Sequence, residues 1–411
     1  MNSRWFVGLA SASSAEAVNA ALVELDGVGL DARPRRLVAV RHPYGDELAT
    51  LLRRVGQPGT ADGVPLLAQL HRALGETFAA AALAVADRAL VDLPDVQCIA
   101  CPGHGVWNDP EGRLPTTLAI GMAAVVAERL GVTVLGDLAT RDVAAGGQAA
   151  PLAALADNVL LRHPDEGRLL VHLGGVGTVV YLPAGGGPED VVGWDAGPCN
   201  ALLDGLMRHL TGGRERYDPG GRHAVQGKCH DALLADWLAH PFLQRRPPRA
   251  VPRHRLGDDL VAEVVRQGRD LALPLRDVLC TATHLVVRCV ADSVRRWLPN
   301  ARPTRVLLSG GGVRNGLLWQ LLGQRFGEVP LERTDAHGVP ADARSAAGLA
   351  VLAALFLDGV PGNAPAATGA AGPRLLGSLT PGAPSHWART LAWMAARTGP
   401  LGVERDADGE W

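Results

Sequence analysis

Lysine is almost missing from this chain. Lys228 stands alone against 39 arginines, since lysine and arginine together number 40 in 411 residues. With the Ala and Gly excess, this bias reads as GC-rich coding, and it leaves no other lysine to clamp a phosphate or form a Schiff base. Long uninterrupted apolar runs are also absent. The longest, such as AAAALAVA at 79–86, carry charges within a membrane thickness, so no transmembrane span is expected. Strong charge of either sign is lacking too: a formal net charge of −2 gives no reason to expect nucleic acid or an anionic membrane as partner. Cysteine is sparse. Six thiols and no recognisable secretory leader read as reduced, cytosolic thiols. Cys98 and Cys101 form a CxxC, but inside the apolar run VQCIAC, which reads as a buried strand rather than a metal or redox site.

What is present points to a two-lobed α/β protein, because 411 residues with 47% hydrophobic content exceed what one core usually serves. The first forty residues predict a meander of WFVGLA, VNAALVEL and RRLVAVR. Helices are expected near 46–55 and 64–90, then strand VQCIAC, a helix near 118–130, strand VTVLGDL and a loop RDVAAGGQAAPLAAL. RLLVHLGGVGTVVYL repeats the opening strand–turn–strand outline, which suggests two related lobes. A helix is expected after Pro198, loops at 211–228 and 240–256, and helices near 229–238, 257–268, 274–297, 315–326 and 342–356 around strand RVLLSGGG. The expected division is a first lobe at 1–130, completed by part of 340–382, a second lobe at 131–340 and an extension at 383–411, where HWARTLAWMAAR could dock as a helix.

Three small-residue turns follow strands: SASSAEA at 11–17, LGGVGT at 173–178 and SGGGVRN at 309–315. Such turns let backbone N–H groups approach phosphate, although each alone reads as a structural turn. In VVGWDAGPCNALLD, Asp195 lies two residues before Gly-Pro at an expected helix start. It is either a general base projecting into a cleft or a helix cap. His284 and Cys280 read as core or surface helix positions rather than ligands, and the Arg-rich run from Gln244 to Arg255 reads more readily as a solvated loop than as a holder of an anionic substrate group.

LGGVGT, GWDAGPCN, DLATRDVAAGGQAAPL, YDPGG, LLSGGGVRN and PGNAPAATGAAG, in that order over about residues 4–382, resemble the signature segments of the anhydro-N-acetylmuramic acid kinases. The resemblance implies an actin-like, sugar-kinase fold of two lobes around a cleft, and a cytoplasmic homodimer that takes a small-molecule substrate. It also implies ATP and Mg²⁺ as cofactors, for phosphorylating a 1,6-anhydro sugar while an aspartate-activated water opens the anhydro bridge. Asp195 would then be the catalytic aspartate, with Gly197, Pro198 and Asn200 beside it. Gly174 and Gly175 match the second phosphate loop, and Gly310, Gly311, Gly312 and Asn315 the segment near the adenosine. Arg141, Asp142, Gly146, Gly147 and Gln148 match a loop reaching toward the sugar, and His104 with Gly105 the start of another.

The chain departs from this pattern at defined places. Where the family reads SGTSLDG, it reads Ser11, Ala12, Ser13, Ser14, Ala15, Glu16, Ala17, so both glycines of the first phosphate loop are replaced. Glu16 keeps a carboxylate through which Mg²⁺ could be held by way of water. SHGQT becomes Gly103 to Trp107, TLQIGD becomes Thr117 to Met122, Ser345 stands where a sugar-contacting glutamate is expected, and His172 and Thr178 replace two asparagines. A PPKSTGRE-like segment appears as Pro247 to His254. Lost polar partners discriminate steeply against a polyhydroxylated ligand, so a less polar substrate is expected. Three readings follow: an ATP-dependent phosphotransferase with Asp195 as base; an ATP-independent hydrolase, lyase or cyclase using Asp195 for acid–base work; and a catalytically silent pseudokinase.

Overall fold

The structure is a computed structural model; it describes residues 3–11, 15–55, 63–252 and 258–398. Valine- and alanine-rich stretches with short polar breaks build the first sheet. β1 (Arg4–Ser11), β2 (Ala17–Asp26) and β3 (Arg33–Pro43) form an antiparallel meander, and β4 (Val96–Cys101) runs parallel to β1. β5 (His104–Asp109) and β6 (Thr116–Ile120) make a separate hairpin, and β7 (Val134–Gly136) adds parallel to β4. The second sheet repeats the plan. β8 (Arg168–Leu173), β9 (Val176–Leu182) and β10 (Val192–Pro198) form the meander, then β11 (Arg305–Ser309) runs parallel to β8 and β12 (Leu331–Arg333) parallel to β11. β13 (Ser378–Thr380) returns to the first sheet beside β7. The orders are β13-β7-β4-β1-β2-β3 and β10-β9-β8-β11-β12, so the second sheet matches the first strand for strand once β13 is set aside.

Helices alternate with these sheets. Gly63–Ala89 and Ala123–Leu130 cover the outer face of the first sheet, while Asn200–Thr211 and Leu275–Trp297 cover that of the second. Between the sheets lie Ala154–Leu161 and Arg344–Leu357, whose apolar residues join Phe6 and Val23 on one side to Leu170 and Val180 on the other in one core. Each fully buried Val, Leu or Phe there stabilises by roughly 1.5–3 kcal/mol. The small residues of SAAGLAVLAAL bring the second of these helices down onto β1: a Cβ on Gly8 would lie 1.9 Å from the Ala346 carbonyl oxygen. No larger residue fits at that crossing.

Several boundaries differ from the sequence reading, for identifiable reasons. Residues 116–120 pair with β5 as a strand, and only after Gly121, at φ +126°, does the helix Ala123–Leu130 begin; the expected single helix from 118 missed the hairpin. The segment read as the loop RDVAAGGQAAPLAAL contributes to two helices, Leu138–Ala144 and Ala154–Leu161, the second buried on every side, with Asp157 among its buried residues. β7 carries the first sheet past residue 130. The helix Pro384–Thr398 docks at the starts of β4 and β7, with the His386 ring between Thr133 and the Val96 carbonyl. Residues 399–411 lie outside the described residues. Cys98 and Cys101 are free, buried strand residues whose thiols burial pushes up to about 12, so neither is reactive at neutral pH.

Candidate active site

The carboxyl ends of β1, β4, β8 and β11 lead into the turns that carry the expected site residues, the usual place for ligands in α/β sheets. Asp195 lies within β10, next to a register shift between Asp195 and Gly197, and five residues before the helix Asn200–Thr211. Helix capping is thereby excluded. Its carboxylate is buried, with 5% of the residue exposed, and accepts from Thr178 Oγ1 at 3.1 Å and from the Val251 N–H at 2.9 Å. A rigid, doubly oriented carboxylate inside a strand suits proton abstraction better than a surface acid would.

The residue that holds this arrangement is Arg249. It lies in the run expected to be a solvated loop, yet it is 1% exposed. Its Nε donates to the Asp195 carbonyl at 3.0 Å, Nη2 to the Ala196 carbonyl at 3.1 Å, and Nη1 to the carbonyls of Phe242, Leu243 and Arg245. The Asp195 N–H returns a bond to the Arg249 carbonyl at 3.1 Å. One guanidinium therefore sews the loop that carries Val251 to β10. Burial pulls its pKa down to about 10, which leaves it charged. The hint in the sequence was Pro247-Pro248 beside it, since paired prolines mark a fixed rather than solvated chain path.

The glycine turns converge. The N–H groups of Cys199 and Ala201 bond the Gly175 carbonyl, that of Asn200 the Gly174 carbonyl, and Asn200 Nδ2 the Leu173 carbonyl at 2.8 Å. A Cβ on Gly312 would sit 2.6 Å from that of Leu173, and one on Gly310, at φ +86°, 2.6 Å from the Leu173 carbonyl oxygen. These glycines are thus already required by the packing of one turn on the other. Gly311 is exposed. Gly197 is required in the same way, because a Cβ there would lie 2.9 Å from Cys289 Sγ. Asn315 does not reach toward a nucleotide with its carbonyl: Oδ1 caps the helix Gly316–Phe326 by accepting from the N–H groups of Leu317 and Leu318.

At the first loop, Ser13 and Ser14 lie outside the described residues. The Ser11 hydroxyl is shared between Tyr44 Oη at 2.7 Å and His104 Nδ1 at 2.6 Å, and burial drives the Tyr44 phenol pKa well above its ordinary value. Ala17 is a regular, fully buried β2 residue opposite Pro43, so no positive φ is lost where the family has its second glycine. Ala15, by contrast, sits at φ +53°. Glu16 pairs with the exposed Arg41 at 3.2 Å. Across from it is a group the sequence reading passed over. Asp204, on the helix Asn200–Thr211, makes no hydrogen bond among the described residues, and burial, reinforced by the Glu16 charge against the pull of Arg208, raises its pKa to about 7.

That acid has a measurable signature. Its folded pKa exceeds the unfolded value of 3.8, so the native state holds a proton that the unfolded chain releases between about pH 4 and 7, and stability is lost as pH rises through that window. Asp204→Asn is expected to leave stability little changed at pH 4 and to raise it by roughly 2–3 kcal/mol at pH 8, read from paired urea melts.

The remaining sugar-side residues divide. Asp142 is fully buried; its Oδ1 accepts from Asn363 Nδ2 and Thr368 Oγ1 and its Oδ2 from the Ala149 N–H, so it fixes the loop and does not face a ligand. Arg141 beside it is exposed and has no ion pair among the described residues. Gln148 bridges: Oε1 accepts from the Ala250 N–H at 3.1 Å and Nε2 donates to Glu111 at the tip of the β5–β6 hairpin. Glu111 also pairs with Arg245. The hairpin of the first lobe is thereby fastened to the loop of the second that carries Arg249 and Val251 and holds Asp195. Both ends of that ion pair are more than a third exposed, so Glu111→Ala is expected to cost less than about 1 kcal/mol in a thermal melt. Ser345 is half-buried on the first turn of the helix Arg344–Leu357.

A duplicated sheet–helix plan, two lobes and a buried strand carboxylate among converging glycine turns place this chain in the actin-like, sugar-kinase class of α/β proteins. It belongs to the anhydro-N-acetylmuramic acid kinase family, whose profile matches residues 4–382. The chain is 37% identical over 378 residues to the anhydro-N-acetylmuramic acid kinase of Acaryochloris marina, covering 91% of this chain and 98% of that one. It is 37% identical to that of Salinibacter ruber, with 92% and 96% covered, and 37% identical to that of Xanthomonas campestris, with 92% and 97% covered. Component A of the (R)-2-hydroxyglutaryl-CoA dehydratase of Acidaminococcus fermentans, a solved structure 10% identical, covers 85% of this chain and 96% of that one at a TM-score of 0.41, a distance at which nothing about the site follows. Among the described residues no helix is long and apolar enough to cross a membrane.

Proposed function

We propose that the chain is an ATP-dependent phosphotransferase in which Asp195 is the general base for an attacking hydroxyl or water. Its substrate would be a small molecule less polar than the anhydro sugar named for its relatives. The observation that carries this is the geometry of Asp195: buried, held by Thr178 and Val251 from two sides, and kept in place by Arg249. Whole-length similarity to kinases supports the reaction class. Val106, Trp107, Ala119 and Met122 on and beside the β5–β6 hairpin, with Ser345, support the altered substrate, because they offer fewer polar partners than the residues they replace.

Among the described residues no group of three His, Cys, Asp or Glu could hold a metal by itself. Mg²⁺ in nucleotide sites needs only one or two carboxylates besides phosphate and water, and Glu16 and Asp204 supply two that feel each other's charge. Bound there with the nucleotide, the ion would offset the charge of the transferring phosphoryl group. Asp204 would have to ionise to hold it, so nucleotide binding with Mg²⁺ near pH 7 should release part of a proton. Titration calorimetry in two buffers of different ionisation heat reads that release, and Asp204→Asn should abolish it. Orienting the substrate would fall to the Gln148–Glu111 bridge and to the exposed Arg141, which has no ion pair among the described residues. A second reading, nucleotide-independent acid–base chemistry at Asp195, is favoured by the Glu16–Arg41 pair, which occupies the carboxylate expected at the first phosphate loop. Binding of an ATP analogue with Mg²⁺ separates the two.

A further inference from the structure

His172, the penultimate residue of β8 before the glycine pair, has a fixed protonation pattern that can be read from its neighbours. Its Nδ1 lies 3.0 Å from Ser309 Oγ, and Arg344 Nη1 lies 3.4 Å from the same oxygen. The rest of the Arg344 guanidinium is held by Asp157, through Nε to Oδ1 at 2.8 Å and through a second contact to Oδ2. A guanidinium only donates, so Ser309 Oγ accepts from it and has one proton left to give. Among the described residues His172 Nδ1 is the sole acceptor in reach of that proton, and a buried hydroxyl that accepted from both neighbours would leave its own proton unpartnered, so the proton goes to Nδ1. The imidazole proton is therefore on Nε2.

Nε2 faces the two turns. A Cβ on Gly174 would lie 2.8 Å from it, and a Cβ on Gly310 3.0 Å from the adjoining Cε1, so the ring fills the seam between the second and third glycine turns. Among the described residues Nε2 meets no protein acceptor, and it is not among the polar atoms sealed from solvent. A free N–H thus points outward where two strand ends present their backbones. Burial, with the Arg344 charge as a lesser cause, pushes the His172 pKa down to about 3, so the ring stays neutral at every physiological pH.

We propose that His172 is a specificity-determining residue of the nucleotide site, donating from Nε2 to a phosphoryl oxygen seated between the Gly174 and Gly310 turns, with Ser309 and Arg344 as positioning residues that fix its tautomer. This rests on the reading of the cleft as a nucleotide site. The chemistry suits the position. An amide of the kind the family carries here can flip to present either a donor or an acceptor, whereas this imidazole presents a donor only and adds no positive charge beside Arg344. In a chain with one lysine, far along the sequence at Lys228, it supplies a phosphate contact of a different kind.

The test uses full-length protein with ¹⁵N-labelled histidine, the His172 resonances being assigned by their loss in His172→Asn, and ADP as the probe. We expect an unprotonated Nδ1 and a protonated Nε2, both unchanged from pH 5.5 to 8, with the Nε2 resonance shifting on ADP addition. Ser309→Ala should produce a mixture of tautomers. Calorimetry should show ADP binding weakened about tenfold in His172→Ala and no more than about threefold in His172→Asn, which restores a donor. A ring that titrates in that range, a proton on Nδ1, or an unmoved Nε2 at saturating ADP would overturn the proposal, as would full affinity in His172→Ala. Wild-type protein that binds no ADP would sink the nucleotide reading itself, which distinguishes that failure from a variant that binds as well as the parent.

Discussion

Asp195→Asn should lower turnover by a factor of about 10²–10⁴ while leaving nucleotide affinity within about twofold and the thermal midpoint nearly unchanged. The asparagine keeps the shape of the side chain and one carbonyl oxygen, so it can still accept from either Thr178 Oγ1 or the Val251 N–H, the two donors that orient Asp195. What it cannot do is take a proton. A fall in kcat without loss of nucleotide binding would place the defect in the chemical step, the behaviour of a general base. Turnover that survived the change would remove Asp195 from the chemistry and leave its burial as a structural fact only.

Arg249→Met should be the most damaging single change outside the central core. The guanidinium donates to five carbonyls, those of Asp195, Ala196, Phe242, Leu243 and Arg245, and methionine satisfies none of them. Hydrogen bonds from a charged donor contribute about 1.5–3 kcal/mol each, and buried carbonyls left without partners add to the cost. A loss of about 3–5 kcal/mol and a fall in the melting midpoint of roughly 10 °C are expected. Activity should fall further than stability implies, because the loop that places Val251 on Asp195 Oδ2 loses its anchor, and small misplacements of a reacting group cost about 10²-fold. Arg245→Met is the control: its own side chain pairs with Glu111 in a partly exposed contact and should cost little.

The contrast between those two arginines shows what the sequence could and could not reveal. Both sit in one Arg-rich run, and charge alone gave both the solvated reading; only the fold decides that one guanidinium turns inward to five carbonyls. Elements with strong periodicity were legible. The opening meander, the long helix Gly63–Ala89, the repeat of strand–turn–strand at β8 and β9, and the helix beginning after Pro198 all follow from apolar spacing and turn residues. The β5–β6 hairpin was not, because TTLAI is short and runs into a helical stretch, so period gave no boundary.

Motif order gave Asp195, since an acid before Gly-Pro is a local pattern. Asp142 and Asn315 were legible as members of motifs but not as to task. Asn315 caps the helix that follows it, and Asp142 holds the Ala149 N–H of its own loop and ties that loop to Asn363 and Thr368, more than two hundred residues away. Asp204 carries no motif signal, and His172 was legible only as a replacement of a family asparagine, not as to task. Their properties come from burial beside Glu16 in one case and beside Ser309 and Arg344 in the other, pairings between distant segments that no window of sequence contains.

The most direct test of the central claim is calorimetric titration of the wild-type protein with a non-hydrolysable ATP analogue and Mg²⁺. We expect saturable binding with a proton released near pH 7, which would establish the cleft as a nucleotide site in spite of its altered first loop and justify a screen of weakly polar hydroxylated acceptors. No binding at millimolar nucleotide would contradict the phosphotransferase reading and leave Asp195 as the base of a nucleotide-free reaction.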